Sequence, residues 1–100
     1  MAQCEEQQWW VYIIETDKGK LYTGITVDVE RRWQEHSAVA NGNTKARGAK
    51  FFRTQSPQKI LYRQAFLSRS EASKQEALIK SKTHAEKLQL CRQFLFPEDK

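Results

Sequence analysis

Two short segments near the start of the chain have the apolar and polar pattern of a β-hairpin. Residues 9–15 are rich in aromatic and β-branched side chains, which is typical of a buried strand. Residues 17–19 end in a glycine and predict a turn, and residues 20–26 then alternate between two faces. Because a strand alternates its side chains, Tyr12 should share a face with Trp10 and Ile14.

The pattern next changes to a helical period. Asp28 is a suitable N-cap for a helix that starts at Val29, and residues 41–43, Asn-Gly-Asn, predict its end. One stripe of this helix is formed by Val29, Trp33, His36 and Ala40. Arg32 lies at the edge of that stripe, about 60° from Val29 at 3.6 residues per turn.

The rest of the chain predicts one strand and two helices. Residues 43–58 are typical of a basic loop, with a short extended piece at Phe51-Phe52. A strand is expected at 60–67, a helix at about 70–80, and a further helix from a capping box formed by Thr83 and Glu86. The order β-β-α-β-α-α predicts an α+β fold, with a three-stranded, mainly antiparallel sheet and flanking helices.

Chain length and composition predict one folded domain. The chain has 100 residues, of which 39% are hydrophobic, so we expect a domain at 9–96 between tails at 1–8 and 97–100. No apolar run approaches the roughly 18 residues of a membrane helix. Residues 1–8 contain no lysine or arginine and no apolar stretch, so we expect no signal peptide and a cytoplasmic location.

The net charge of +5 is unevenly distributed. No acidic residue lies between Glu35 and Glu71, and that window contains Lys45, Arg47, Lys50, Arg53, Lys59, Arg63 and Arg69. Such a stretch produces a positive field that attracts polyanions. Nucleic acid is one candidate partner; the alternatives are acidic membrane surfaces, acidic proteins, or a solvated loop without a partner.

Glu76 is the most informative single residue. It falls on the same helical face as Ala72 and Ile79, which should point toward the sheet. A carboxylate in that position needs a cation, since burying an unpaired charge is costly. The cation would be an arginine such as Arg32 or Arg63, or a metal ion such as Mg²⁺, which needs only one or two protein oxygens.

The other candidate residues have ordinary interpretations when each is taken alone. His36 on an apolar stripe is typical of a hydrogen-bonded core histidine. Arg32 is either an exposed helix charge or a bidentate ligand for phosphate. Tyr12 and Tyr22 fit core or edge positions of a hairpin.

The arrangement of these residues resembles the GIY-YIG endonuclease superfamily, in particular its small single-domain bacterial members. Trp10-Val11-Tyr12 stands where the first signature tripeptide would be, and Tyr22-Thr23-Gly24 where the second would be. Arg32, before Trp33, resembles the catalytic arginine, and Glu76 the metal-binding glutamate. The first tripeptide keeps only its tyrosine, and no counterpart is found for a late asparagine that some members carry.

The resemblance implies hydrolysis of phosphodiester bonds of nucleic acid, with DNA as the expected polymer, in repair or turnover. Glu76 would hold one Mg²⁺ or Mn²⁺, and Arg32 would grip the phosphate. Tyr12 would orient or deprotonate the attacking water, its pKa lowered by nearby cations, and Tyr22 and His36 would position the phosphate or water. The polymer backbone would lie along Lys20, Lys45, Arg47, Lys50 and Arg53. Phe51 or Phe52 would either stack on a base or pack in the core.

Two other functions remain open from the sequence. The first is a nucleic-acid-binding module on the same fold with little or no catalysis, which the changed first tripeptide favours. The second is an interaction protein whose basic loop binds an acidic partner. No small-molecule cofactor or membrane partner is expected. The sequence leaves the oligomeric state open.

Overall fold

The computed structural model describes residues 8–42 and 50–95. The elements, in chain order, are β1 (Trp9–Thr16), β2 (Leu21–Thr26), α1 (Val29–Ala40), a short 3₁₀ helix (Lys50–Arg53), β3 (Pro57–Phe66), α2 (Arg69–Lys80) and α3 (His84–Leu95). The predicted α+β class and the β-β-α-β-α-α order are confirmed.

The three strands form one antiparallel sheet in the order β2-β1-β3. β1 is therefore central, and its Tyr12 lies opposite Gly24 of β2 and Arg63 of β3. The β1–β2 turn contains Gly19 at a φ of 77°, a left-handed conformation that glycine adopts without a steric penalty. This register fixes which side chains of the hairpin meet across the strands.

The helices cover both faces of the sheet. Val11 and Ile13 of β1 belong to a core with Ala72 and Ile79 of α2 and with Cys91 of α3. The alternate residues of β1 belong to a second core on the other face, with side chains from α1 and the 3₁₀ helix: Tyr12, Ile14, Val39 and Phe52. The alternation of a strand thus places the Tyr12 side chain on the face that α1 covers.

Local hydrogen bonds set the ends of the helices as the sequence predicts. The Asp28 carboxylate accepts from the Arg31 amide at 3.0 Å, and α1 ends before Gly42, whose φ is 92°. In front of α3, the Thr83 hydroxyl accepts from the Glu86 amide, and the Glu86 carboxylate accepts from the Thr83 amide. This reciprocal pair is the expected capping box.

Two local predictions are wrong. Phe51-Phe52 is a 3₁₀ helix rather than an extended piece. Successive side chains of a strand point to opposite faces, whereas here both rings contact Tyr22, with centroids 5.3 and 5.2 Å away. The third strand starts at Pro57 rather than residue 60, because proline is accepted at the first residue of an edge strand.

The predicted tails and part of the predicted basic loop, including Lys45 and Arg47, lie outside the described residues. Within the described ranges, no helix is both long and apolar enough to cross a membrane.

Candidate active site

The hairpin brings the two candidate tyrosines together on one face of the sheet. The rings of Tyr12 and Tyr22 are 6.2 Å apart between centroids. Gly24 lies directly opposite Tyr12, and a Cβ atom there would be 2.6 Å from the Tyr12 hydroxyl oxygen. The position therefore needs glycine, because any side chain would displace the Tyr12 phenol.

α1 places His36 against the same phenol. His36 is fully buried, and its Nε2 atom is 3.0 Å from the Tyr12 hydroxyl oxygen. Its ring also contacts Tyr22 and Phe52, with centroids 5.2 and 4.4 Å away. Burial, and after it the charge of Arg32, lowers the His36 pKa from 6.5 to about 4. The imidazole is consequently neutral at pH 7, which lets Nε2 accept the hydrogen bond of the phenol.

Arg32 reaches the site one turn before His36. Its guanidinium donates to the Glu35 carboxylate at 2.8 Å. Desolvation lowers the Arg32 pKa, but the interactions with Glu35 and Tyr12 outweigh it and raise that pKa above its ordinary value. Glu35 was not singled out from the sequence; its three-residue spacing from Arg32 is the signal that would have identified it.

The Tyr12 phenol is protonated in this environment. Desolvation by burial is the largest cause that raises its pKa, followed by Tyr22, and Glu76 adds a smaller contribution. Arg32 acts in the opposite direction, through its hydrogen bond and its charge. Arg32 does lower the Tyr12 pKa, but burial raises it by more. The expectation that nearby cations leave this pKa below its ordinary value is therefore wrong.

Glu76 lies on α2, which packs on the other face of the sheet from α1. Ala72 and Ile79 of the same helix are fully buried, whereas 22% of the Glu76 side chain is exposed. Its carboxylate pairs with the Lys80 ammonium at 3.2 Å, while Arg63 pairs with Glu30. α2 packs against both β1 and β2, and the Glu76 charge acts on the Tyr12 pKa.

The donor chemistry of Glu76 fits Mg²⁺ or Mn²⁺ held mainly by water. No group of three or more His, Cys, Asp or Glu side chains converges anywhere in residues 8–42 and 50–95, so a closed protein cage is absent there. Magnesium does not need such a cage, because it keeps several waters and takes one or two carboxylates. The Lys80 ammonium already occupies a cation position beside the Glu76 carboxylate.

The candidate residues differ in their access to solvent. Tyr12 and His36 are buried, whereas Tyr22, Arg32 and Glu76 are partly exposed. The site therefore consists of a buried tyrosine–histidine pair below a partly exposed rim.

Three of the predicted basic residues are described, and all three are exposed: Lys20, Lys50 and Arg53. Lys20 follows the β1–β2 turn, which is tied to the chain after the 3₁₀ helix by the Asp17 carboxylate and the Ser56 amide, 3.0 Å apart. A second tie joins the Thr16 hydroxyl to the Gln55 amide oxygen at 2.6 Å. These contacts hold the turn beside the segment that bears the aromatic rings at Tyr22.

Comparison with known proteins gives a consistent result. A sequence model of the GIY-YIG catalytic domain matches residues 8–89. A UPF0213 protein of Cupriavidus pinatubonensis is 40% identical over 93% of this chain and 96% of its own length. One of Streptococcus agalactiae is 42% identical over 84% of this chain and 88% of its own.

Two solution NMR structures are similar to this chain. A protein of E. faecalis has a TM-score of 0.61 at 28% identity, covering 100% of this chain and 97% of that one. A UPF0213 protein of Bacillus halodurans has a TM-score of 0.50 at 35% identity, covering 83% and 81% of the two chains. The family model and the E. faecalis structure thus both cover the segment that contains Tyr12, Arg32 and Glu76.

Proposed function

The chain belongs to the GIY-YIG family, whose domain is a nuclease fold, and on that premise we propose that it is a metal-dependent endonuclease. It hydrolyses phosphodiester bonds of nucleic acid, with DNA as the polymer we expect. The observation that supports this proposal best is the environment of one phenol: the Tyr12 hydroxyl lies 3.0 Å from His36 Nε2, and the charge of Arg32 acts on it.

Arg32 binds the phosphate in this proposal. Its guanidinium is at the rim, is held by Glu35, and keeps its positive charge at any working pH. A guanidinium stabilises the charge that develops on the non-bridging oxygens during displacement. Tyr22, also at the rim and next to Tyr12, orients the phosphate or the attacking water.

Tyr12 and His36 together transfer the proton that the attacking water loses. In this proposal the attacking water reaches the Tyr12 hydroxyl beside Arg32. The phenol accepts the proton of that water while its own proton passes to His36 Nε2, 3.0 Å away. His36 is a positioning residue, because its burial keeps it from contact with the substrate.

Glu76 would hold the metal ion. When bound, Mg²⁺ or Mn²⁺ supplies Lewis-acid stabilisation of the phosphate and the leaving oxygen. The carboxylate is partly exposed, which leaves room for the waters that such an ion retains.

A cleavage assay on the purified protein tests this proposal. With Mg²⁺ the protein should cut fluorescent oligonucleotides, and Glu76→Ala should abolish cutting while leaving binding nearly unchanged. Glu71→Ala is a matched control, since Glu71 is an exposed carboxylate in the first turn of the same helix. Cleavage by Glu76→Ala at the parental rate would contradict the metal assignment.

One observation favours a second function, a nucleic-acid-binding module with little or no catalysis. The Tyr12 hydroxyl is buried and its pKa is raised, so the site as it stands holds a poor base. Under this alternative, the protein binds nucleic acid in a salt-sensitive way and never cleaves it, at any concentration of protein or metal.

A further inference from the structure

The two adjacent phenylalanines of the 3₁₀ helix have different environments. Phe52 is completely buried, and its ring lies 4.4 Å from that of His36. Phe51 is only partly buried, with its ring centroid 5.3 Å from that of Tyr22 and 5.2 Å from that of Phe52. Phe52 therefore belongs to the core, whereas Phe51 extends the aromatic surface of the candidate site to solvent.

Positive charge flanks this partly exposed ring. Lys50 and Arg53 stand on either side of the two phenylalanines, and both are exposed. Neither has an ion-pair partner among the residues that the structure describes. An accessible aromatic ring with exposed cations in the same short helix is a combination that binds bases and backbone phosphates of a single strand.

We propose that Phe51 is a stacking platform for an unpaired base next to the scissile phosphate, so that the substrate is a single-stranded or locally unpaired nucleic acid. This inference rests on the proposed function, since it takes Tyr22 and Arg32 as the phosphate site. In a duplex each base is paired and stacked on both sides, so its face is closed to a protein ring. A base that leaves the stack exposes that face. Each of the four bases has such a face and can stack on an aromatic ring.

The geometry supports a strand that runs from the rim to the 3₁₀ helix. The Tyr22 ring contacts the rings of Tyr12, His36 and Phe51, with centroids 6.2, 5.2 and 5.3 Å away. A phosphate held at Tyr22 thus leaves its neighbouring base one ring away, at Phe51. The platform gives affinity without sequence preference, because no hydrogen bond reads the base edge.

Binding measured without metal tests the platform separately from cleavage. The probes are a fluorescein-labelled deoxyoligonucleotide of about 16 nucleotides and its duplex, titrated in EDTA and followed by fluorescence anisotropy. Phe51→Leu retains an apolar side chain but removes the ring, and it should bind the single strand about 5- to 100-fold more weakly. Binding of the duplex should change little, and Phe51→Trp should restore single-strand binding.

Two controls separate stacking from damage to the fold. Phe94→Leu removes another partly exposed ring, on α3, and should bind both probes like the parent. Thermal unfolding of Phe51→Leu identifies any loss of structure. In the parent, a 2-aminopurine placed in the single strand should change its fluorescence on binding, and in Phe51→Leu that change should be lost.

The possible outcomes separate this inference from the proposed function. Parental single-strand affinity in a folded Phe51→Leu variant, or an equal loss for strand and duplex, would overturn the platform. Absence of any binding by the parent would overturn the platform, whereas the nuclease proposal is decided by the cleavage assay with Mg²⁺. A parent that binds through Phe51 but never cleaves would overturn the nuclease and leave the platform standing.

Discussion

A neutral histidine with no access to solvent makes the stability of this protein dependent on pH. The pKa of His36 is lowered from 6.5 to about 4, mainly by burial. Between these values the unfolded chain binds a proton at His36 and the folded chain does not, so stability falls as the pH falls. The full loss is about 3 kcal/mol, reached near pH 4.

Urea unfolding between pH 8 and pH 4 measures this effect. His36→Gln should lower stability at neutral pH but flatten the decline below pH 6.5. His84→Gln serves as the control, because His84 is the second histidine of the chain and is exposed. An equally steep acid decline in His36→Gln and in the parent would rule out His36 as its source.

Gly24 offers a steric test of the tyrosine site. The added methyl group of Gly24→Ala would lie 2.6 Å from the Tyr12 hydroxyl oxygen and 2.8 Å from its ring carbon Cζ, so the phenol must move. We expect a loss of about 1–3 kcal/mol, as for other overpacked positions, together with a large loss of cleavage.

A double variant checks that this cost comes from the phenol. Tyr12→Phe removes the oxygen that makes the shorter contact, so Tyr12→Phe/Gly24→Ala should be less destabilised than the sum of the two single changes. If the losses in free energy of unfolding of the two single variants simply add in the double variant, then Gly24→Ala does not act through the Tyr12 phenol.

Lys80 should compete with a metal ion for Glu76. Its ammonium lies 3.2 Å from the carboxylate, so a divalent cation must displace or repel it. Removing that charge in Lys80→Met should tighten Mn²⁺ binding several-fold, measured by isothermal titration calorimetry. Lys74→Met is the control on the same helix, since Lys74 is exposed and makes no ion pair with a described residue. Unchanged Mn²⁺ affinity in Lys80→Met would show that the Lys80–Glu76 ion pair does not oppose metal binding.

The sequence could indicate which residues matter but not how each is partnered. The resemblance and the helical stripe together placed His36 near the tyrosines. The Tyr12–His36 hydrogen bond joins residues 24 positions apart, and no local pattern contains that distance. The Tyr12 pKa could not be foreseen either, because it depends on how completely the fold excludes water from one phenol.

Among the elements, α1 carries two of the five proposed site residues, Arg32 and His36, and its first turn depends on Asp28. The carboxylate of Asp28 accepts from the Arg31 amide at 3.0 Å. Asp28→Ala should cost about 1 kcal/mol in urea unfolding, whereas Asp28→Asn retains an acceptor and should cost less. Cleavage should fall in the same order, because Arg32 and His36 lie one to two turns along this helix. Parental stability in Asp28→Ala would show that the cap contributes nothing.

The elements that the sequence predicted correctly are those with strong local signals. Alternation predicted the hairpin, and Asp28 and Thr83 predicted the starts of two helices because their side chains bond to nearby amides. The 3₁₀ helix was missed because its two rings are folded toward Tyr22 by tertiary packing. Two consecutive phenylalanines have high strand propensity, and here tertiary packing prevails over it.

At the scale of the whole molecule, the candidate residues lie on elements that pack on both faces of the sheet. α1 packs on the Tyr12 face and α2 on the opposite face. Tyr12 on the central strand and Gly24 on the neighbouring edge strand β2 are opposite each other, so little side-chain bulk covers the phenol there. The Glu76 charge still raises the Tyr12 pKa, although α2 packs on the face opposite the Tyr12 side chain.

The distribution of charge over the molecule predicts how binding responds to salt. Each phosphate neutralised by a single-strand-binding protein contributes roughly 0.7 to the slope of log K against log salt. If Lys20, Lys50 and Arg53 contact the backbone, replacing all three by alanine should reduce that slope by about 2. The measurement is anisotropy of a labelled single strand at several salt concentrations, in EDTA.

A matched variant separates these specific contacts from the net charge of +5. Lys74, Lys87 and Arg92 lie on α2 and α3, and their replacement by alanine removes the same charge from the helices on the other face. Counterion release depends on local contacts rather than on total charge, so this variant should keep the parental slope. Equal slopes in the two triple variants would mean that binding depends only on net charge. The rim and the 3₁₀ helix would then not be the nucleic-acid surface.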